Sequence, residues 1–194
     1  MNQFNIHITG VGGQGIGLLS QALLRGIDHA GIPVIAVDTH GLAQRGGVVV
    51  SRIRCGVRVH SPMTMKHSAD LVLGMEVHEA MRGLCLAIKK GGTLVYMNVS
   101  WQPLPVRLGQ SAEITADQIK IACDAVGIKR LGVDFSGMGD PRMQNMALLG
   151  TVARYTLVAD VDESHYVQAL KDLLPDHLLD SNLALFKTFA RGEE

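Results

Sequence analysis

A short strand-like run, a turn made largely of glycine and a helical apolar stripe follow one another at the start of the chain, and that succession restricts it to a narrow set of folds. Residues 5–9 read as the strand and Gly10-Val11-Gly12-Gly13-Gln14-Gly15 as the turn. Ile16, Leu19, Leu23, Ile27 and Ala30 recur at intervals of three and four, the spacing of a buried helix face. Ser20, Gln21, Arg25, Asp28 and His29 take the opposite face, and Gly31 stands where a left-handed terminator is expected. Residues 33–38 form a second short apolar strand. Strand, turn, helix and strand make a βαβ unit, whose strands are expected to run parallel through a right-handed crossover.

The alternation continues with a β-branched run at residues 48–54, a strand at 69–75, a helix over 77–89 and a strand at 93–98. After a proline-bearing loop at 101–109, Thr115 and Gln118 form a T-x-x-Q capping box for a helix that Gly127 ends. A strand at 130–135 follows. Asp140-Pro141 reads as a cap and first-turn proline opening a long helix as far as Ala159, and two further helices, from Glu163 and from Leu178, flank Pro175. With no internal repeat, linker or low-complexity tract, the sequence predicts an α/β fold. This is a single Rossmann-like, doubly wound domain over residues 1–194, with a mostly parallel sheet, helices on both faces and extra C-terminal helices. One strand resists this picture. Phe4, Ile6 and Ile8 alternate with Asn5, His7 and Thr9, whereas a central parallel strand is usually apolar on both faces, so His7 requires a buried partner or an interface.

Composition narrows the function. Of 194 residues, 47% are hydrophobic and 18 Lys+Arg balance 18 Asp+Glu, enough apolar character for a core and no net attraction for phosphate backbones or anionic lipid. Nucleic acid and membrane are therefore not expected partners. Cys55, Cys85 and Cys123 are odd in number and widely spaced, which argues against a disulfide framework, a structural zinc site or an iron–sulfur cluster held by this chain. Together with an amino terminus that lacks a charged segment followed by an apolar run, this points to a reducing, cytoplasmic setting. Of the eight histidines, no pair has metal-ligand spacing, and no metal is expected.

The glycine turn has two readings. As G-x-G-x-x-G, Gly10, Gly12 and Gly15 match a dinucleotide fingerprint, and Asp38 at the end of the second strand supplies the acid such a site uses for a ribose. That is the case for a freestanding oxidoreductase binding NAD(P). Equally, a strand-to-helix turn can be glycine-rich for packing alone. Beyond the second strand, Thr39-His40-Gly41-Leu42-Ala43-Gln44-Arg45-Gly46-Gly47 is a loop that a nicotinamide site does not call for. Its glycines allow Gln44 and Arg45 to be held beside the first turn, where a guanidinium suits a phosphate or carboxylate.

These blocks, together with Ala69-Asp70-Leu71, Glu79-Ala80-Met81-Arg82 and Asn145-Met146-Ala147-Leu148-Leu149-Gly150, resemble in order and spacing the small, γ-type subunits of 2-oxoacid:ferredoxin oxidoreductases. The resemblance covers residues 4–190. Within that group the chain is most similar to the indolepyruvate type, in the loop from His40 to Gly47 and the Ser61-Pro62 step. It implies a γ-type catalytic domain that shares in coenzyme A-dependent oxidative decarboxylation of a 2-oxoacid, with electrons passed to ferredoxin and a connection to anaerobic metabolism. Thiamine diphosphate, magnesium and iron–sulfur clusters would reside in a large partner subunit, which also meets ferredoxin. The small chain alone would bind no cofactor and show no activity. Carried over residue by residue, the resemblance places Gly10, Gly12, Gly13, Gln14, Gly15, Gly46 and Gly47 on a cofactor-facing edge, near coenzyme A phosphates. It makes Arg45 and Gln44 the candidate catalytic residues. A nucleotide-sensing or scaffolding module is a third, non-enzymatic reading.

Other candidates are weaker. Glu76 and Glu79 could trade protons at a strand's carboxyl end, although acids in a first helical turn ordinarily stabilise the helix dipole. Asn98, Ser100 and Ser136 sit at strand ends that could line the same crevice. Gly137-Met138-Gly139-Asp140 only superficially suggests a thiamine-diphosphate motif. Ala147, Gly150 and Ala153 give a smooth helix face for close packing or a subunit contact. Nine methionines, Met63, Met65, Met138, Met143 and Met146 among them, serve either as core filler or as an adaptable apolar surface for a large partner.

Overall fold

The computed structural model describes residues 1–39, 47–101, 104–135, 140 and 143–193. Six strands form one sheet in the order β2-β3-β1-β4-β5-β6: β1 (Phe4–Val11), β2 (Val34–Asp38), β3 (Val48–Cys55), β4 (Ala69–Gly74), β5 (Ile88–Met97) and β6 (Lys129–Val133). β1, β4, β5 and β6 are mutually parallel, while β3 runs antiparallel to both of its neighbours, β1 and β2. The first βαβ unit is therefore split. β1 and β2 point the same way, as the sequence predicts, but β3 lies between them, paired from Phe4↔Cys55 to Val11↔Val48 on one side and from Val34↔Cys55 to Asp38↔Ser51 on the other.

Helices cover both faces. α1 (Ile16–His29), α5 (Gln144–Arg154), α6 (Glu163–Leu173) and α7 (Asp176–Arg191) share one core with Ile6, Ile8, Ile53, Leu71 and Leu73. On the other face, α2 (Val77–Leu86) and α4 (Ala116–Val126) pack over Val72, Leu94 and Tyr96. Leu19, Leu23 and Ile27, the stripe read from the sequence, are fully buried, and each contributes about 1.5–3 kcal/mol of burial. α3 (Leu104–Arg107) forms a short turn of helix where the sequence reads only as a loop. Gly150 lies so close to α7 that an added Cβ would sit 2.5 Å from the Phe186 carbonyl oxygen and 2.7 Å from Phe189 Cβ, so the smooth face of α5 serves packing within the chain. Met146 is buried in the core, whereas Met63 and Met65 are exposed.

Several helix ends differ from the sequence reading. α2 stops at Leu86, because Ile88, which continues the helical stripe of Ala80 and Leu84, pairs with Ala69 and starts β5. α5 begins at Gln144 and ends at Arg154, where Thr156 takes a left-handed conformation (φ 46°) and its N–H bonds back to Ala153. The capping box of α4 is present, with Thr115 Oγ1 accepting from the Gln118 N–H and the Gln118 side chain accepting from the Thr115 N–H. Among the described residues, no helix is long and apolar enough to cross a membrane.

Candidate functional site: the glycine corner

The turn after β1 is held by its own side chains before it meets anything else. Gln14, 5% exposed, folds back so that its Oε1 accepts from the Val11 N–H at 2.7 Å while its Nε2 reaches the Met75 carbonyl at 3.5 Å. Gly10 is glycine for space: a Cβ there would lie 2.7 Å from Met75 Cβ and 2.8 Å from Gln14 Oε1. Gly15 is glycine for space and for backbone, since it caps α1 at φ 77° and an added Cβ would meet Asn145 Nδ2 at 2.6 Å. Asn145 Nδ2 donates to the Gly15 carbonyl, which also accepts the Leu19 N–H.

Gly12 and Gly13 differ from these. The Gly12 N–H donates to the Gly47 carbonyl at 3.0 Å, and a Cβ at Gly13 would meet nothing within 4 Å. α1 is capped by Gly15 without a side-chain N-cap bond, so among the described residues its N-cap offers its first N–H groups no side-chain acceptor, the arrangement that favours an anion.

The second loop is the connection of a β2–β3 hairpin, and both of its ends are fixed. Thr39 donates to the Val50 carbonyl through its N–H (2.9 Å) and its hydroxyl (2.8 Å), and Gly47 is seated on Gly12. Gly10, Gly12, Gly13, Gln14, Gly15 and Gly47 are thus brought together at the carboxyl edge of the sheet. Gln44, Arg45 and Gly46 lie outside the described residues, as do Ser136 and the Gly137-Met138-Gly139 segment.

Two features disfavour a dinucleotide here. β3 separates β2 from β1, which puts Asp38 two strand spacings, roughly 10 Å, from the glycine strand rather than one. Its Oδ1 accepts from Ser20 on α1, a buried serine that also bonds Ser51 at 2.7 Å, so Asp38 helps fasten the helix to the sheet. The crevice between β1 and β4, where a doubly wound sheet ordinarily binds its ligand, is crossed by Gln14 and Met75.

The remaining candidates are engaged elsewhere. Glu76 is fully buried and caps α2, accepting from the Glu79 N–H, the Trp101 N–H (3.3 Å) and His78 Nδ1 (2.9 Å). Because the Ile114 N–H donates to His78 Nε2, the ring proton belongs on Nδ1. Glu79 Oε2 accepts from Thr9 Oγ1 at 2.6 Å and its Oε1 from Arg82 Nε at 3.1 Å. Both acids therefore do structural work. Asn98 bonds Asp134 and Ser100 bonds Glu113. His7 lies on the α2 face opposite Arg52, and burial, assisted by that guanidinium, pulls its pKa down to about 4. The sequence reading did not assign Asn145 or Met75 to the corner. Asn145 is the first residue of the N-M-A-L-L-G block, which carried the resemblance without a role, and nothing marked Met75.

A mostly parallel sheet whose first strand passes through a glycine corner into the N-terminus of a helix defines a Rossmann-like α/β protein. The chain is 33% identical to indolepyruvate oxidoreductase subunit IorB of Thermococcus kodakarensis, covering 96% of this chain and 94% of that protein. Against IorB of Pyrococcus horikoshii it is 32% identical over the same shares. Among solved structures, the keto/oxoacid ferredoxin oxidoreductase γ subunit of Geobacter sulfurreducens superposes with a TM-score of 0.66 at 16% identity, covering 98% of both chains. The 2-oxoglutarate:ferredoxin oxidoreductase of Magnetococcus marinus, with 2-oxoglutarate, coenzyme A and succinyl-CoA bound, superposes with a TM-score of 0.69 at 18% identity, and this chain spans 31% of that longer one. Residues 5–190 match the pyruvate ferredoxin/flavodoxin oxidoreductase family, and the chain belongs to it.

Proposed function

We propose that this chain is the small, accessory subunit of an indolepyruvate-type 2-oxoacid:ferredoxin oxidoreductase, catalysing coenzyme A-dependent oxidative decarboxylation only in company with a large subunit. Thiamine diphosphate, magnesium and iron–sulfur clusters belong to that partner, through which electrons leave for ferredoxin. The observation that carries this reading is the end-to-end match with IorB, which covers nearly all of both chains.

The geometry of the glycine corner supports a contact with coenzyme A. Gly13 and the first turn of α1 leave room and N–H donors for a phosphate, while Gly10, Gln14 and Gly15 hold the corner rigid beneath it. In this reading Arg45, on the loop whose last residue Gly47 is seated on Gly12, supplies a guanidinium for the same anionic co-substrate, and Gln44 a neutral donor.

The test is to co-express the chain with its large partner and assay reduction of ferredoxin, or of a viologen dye, by indolepyruvate and coenzyme A without oxygen. The complex should be active and each subunit alone inactive. Turnover by the small chain alone, or its tight binding of NADH, would refute the assignment.

A further inference from the structure

On the α2 face of the sheet a recess of about 190 Å³ opens beside His7 and Arg52, with Thr64, Lys66, Arg82 and Leu86 among its walls. It is separate from the glycine corner. His7 lies roughly 10 Å down β1 from Gly10, and Leu86 is the last residue of α2, whose first turn faces the opposite edge of the sheet.

Its charges do not balance. Arg52 is half-buried on β3, and among the described residues neither Arg52 nor Lys66 forms an ion pair. Arg82 reaches Glu79 through Nε alone, and Glu79 already accepts from Thr9. Asp70, on the adjacent strand β4, is taken by Lys89 and the Asn5 N–H. Three cations therefore face one committed carboxylate, and a guanidinium withdrawn from water without a counter-charge is costly. Arg82 keeps both Nη groups for a ligand, and Thr64 contributes a hydroxyl.

We propose that this recess binds a small phosphate-class oxyanion, either inorganic phosphate or a phosphomonoester, through Arg52, Arg82 and Lys66. Three cationic groups and a hydroxyl match the several oxygens and double charge of a phosphate better than the two oxygens of a carboxylate. The volume falls below the roughly 300–1,000 Å³ of pockets that enclose drug-sized ligands, which suits a single phosphate group. The inference is independent of the function proposed above.

His7 provides the readout. Its imidazole is held neutral by burial and by Arg52, and a dianion seated beside it would favour the imidazolium and raise its pKa from about 4. The experiment titrates the full chain with inorganic phosphate and with glycerol phosphate, by calorimetry and by the His7 ring signals in NMR. Saturable binding that moves the His7 midpoint upward is expected, and Arg52→Gln should weaken it about tenfold or more. Should Arg52→Gln fail to fold, Lys66→Gln on the exposed rim should weaken binding several-fold. Tighter binding of the ester identifies a phosphorylated metabolite, and equal binding identifies the free ion. A His7 signal indifferent to phosphate, or heat unchanged in both variants, overturns the proposal. So does loss of the site on assembly with the large subunit, which would make the recess a contact for a partner carboxylate.

Discussion

Asn145 donates its side-chain N–H to the carbonyl oxygen of Gly15 at 3.2 Å, fastening the first turn of α5 to the residue that caps α1. The contact is tight enough that the two positions must be read together. Gly15→Ala would impose a side chain at φ 77° and drive a methyl against Asn145, costing roughly 2 kcal/mol or more. In the Asn145→Ala background the collision disappears, so a double-mutant cycle by urea unfolding should give a cost for the pair clearly below the sum of the singles. Strict additivity would show that Gly15 is needed only for its backbone conformation.

The hydroxyl of Tyr166 is buried, and among the described residues it has no hydrogen-bond partner; burial also pushes its pKa far up. A polar group stranded in this way costs about 1–3 kcal/mol. Tyr166→Phe should therefore leave stability unchanged or increase it by about 1 kcal/mol, visible as a thermal midpoint higher by roughly 2–4 °C. Gly26→Ala should do the reverse, because its methyl would lie 2.6 Å from the Tyr166 ring.

The depressed pKa of His7 makes stability depend on pH. Its folded value of about 4 lies below the ordinary 6.5, so between those values the unfolded chain binds the proton and the folded chain does not. Stability is fully present above pH 6.5 and declines as pH falls toward 4, by up to about 3 kcal/mol. Measured in a phosphate-free buffer, His7→Gln should flatten the unfolding free energy across that window relative to the parent chain. An unchanged slope would place the dependence on other groups.

Glu76 is a structural acid by every contact it makes. Glu76→Ala removes the cap of α2 and leaves the Trp101 N–H and His78 Nδ1 without their acceptor, at a cost of roughly 2–3 kcal/mol. Assembled enzyme that keeps full specific activity after correction for the folded fraction is the expected result. A loss of turnover without a loss of stability would return Glu76 to the chemistry.

Arg45→Ala should lower turnover of the assembled complex by roughly 10- to 100-fold, the worth of one charge-assisted contact to an anionic co-substrate. The unfolding midpoint of the isolated chain should not move. Unaltered turnover at limiting coenzyme A would demote Arg45 to a surface charge.

Much of the fold was legible because local rules and tertiary packing agree. The stripe of α1, the Thr115–Gln118 capping box and the Gly127 terminator each state their role within a few residues. Where the reading overran, long-range pairing decided. Ile88 fits the stripe of α2 but is claimed by Ala69 across the sheet, and no feature of residues 48–54 reveals that this strand enters antiparallel between β1 and β2. The polar side of β1 was correctly seen as anomalous, yet its resolution lay in partners far along the chain, Glu79 for Thr9 and Ser68 for Asn5, while His7 stands opposite Arg52, which disfavours its protonation. In the corner, the glycines were visible from spacing. Asn145 and Met75, which explain why two of them must be glycine, become neighbours only once the chain is folded.

The inverted strand also sets an order of events for a chain made from its amino terminus. β1 leaves the ribosome first, but its hydrogen-bonding partners on either side come from β3 and β4, so both flanks stay bare until those segments have been synthesised. Once β3 is made, the β2–β3 hairpin can zip locally before β4 appears, since it needs no crossover. A nascent or truncated polypeptide ending before Val48 thus carries a ribbon, apolar on one side, with two unsatisfied edges, a state exposed to aggregation.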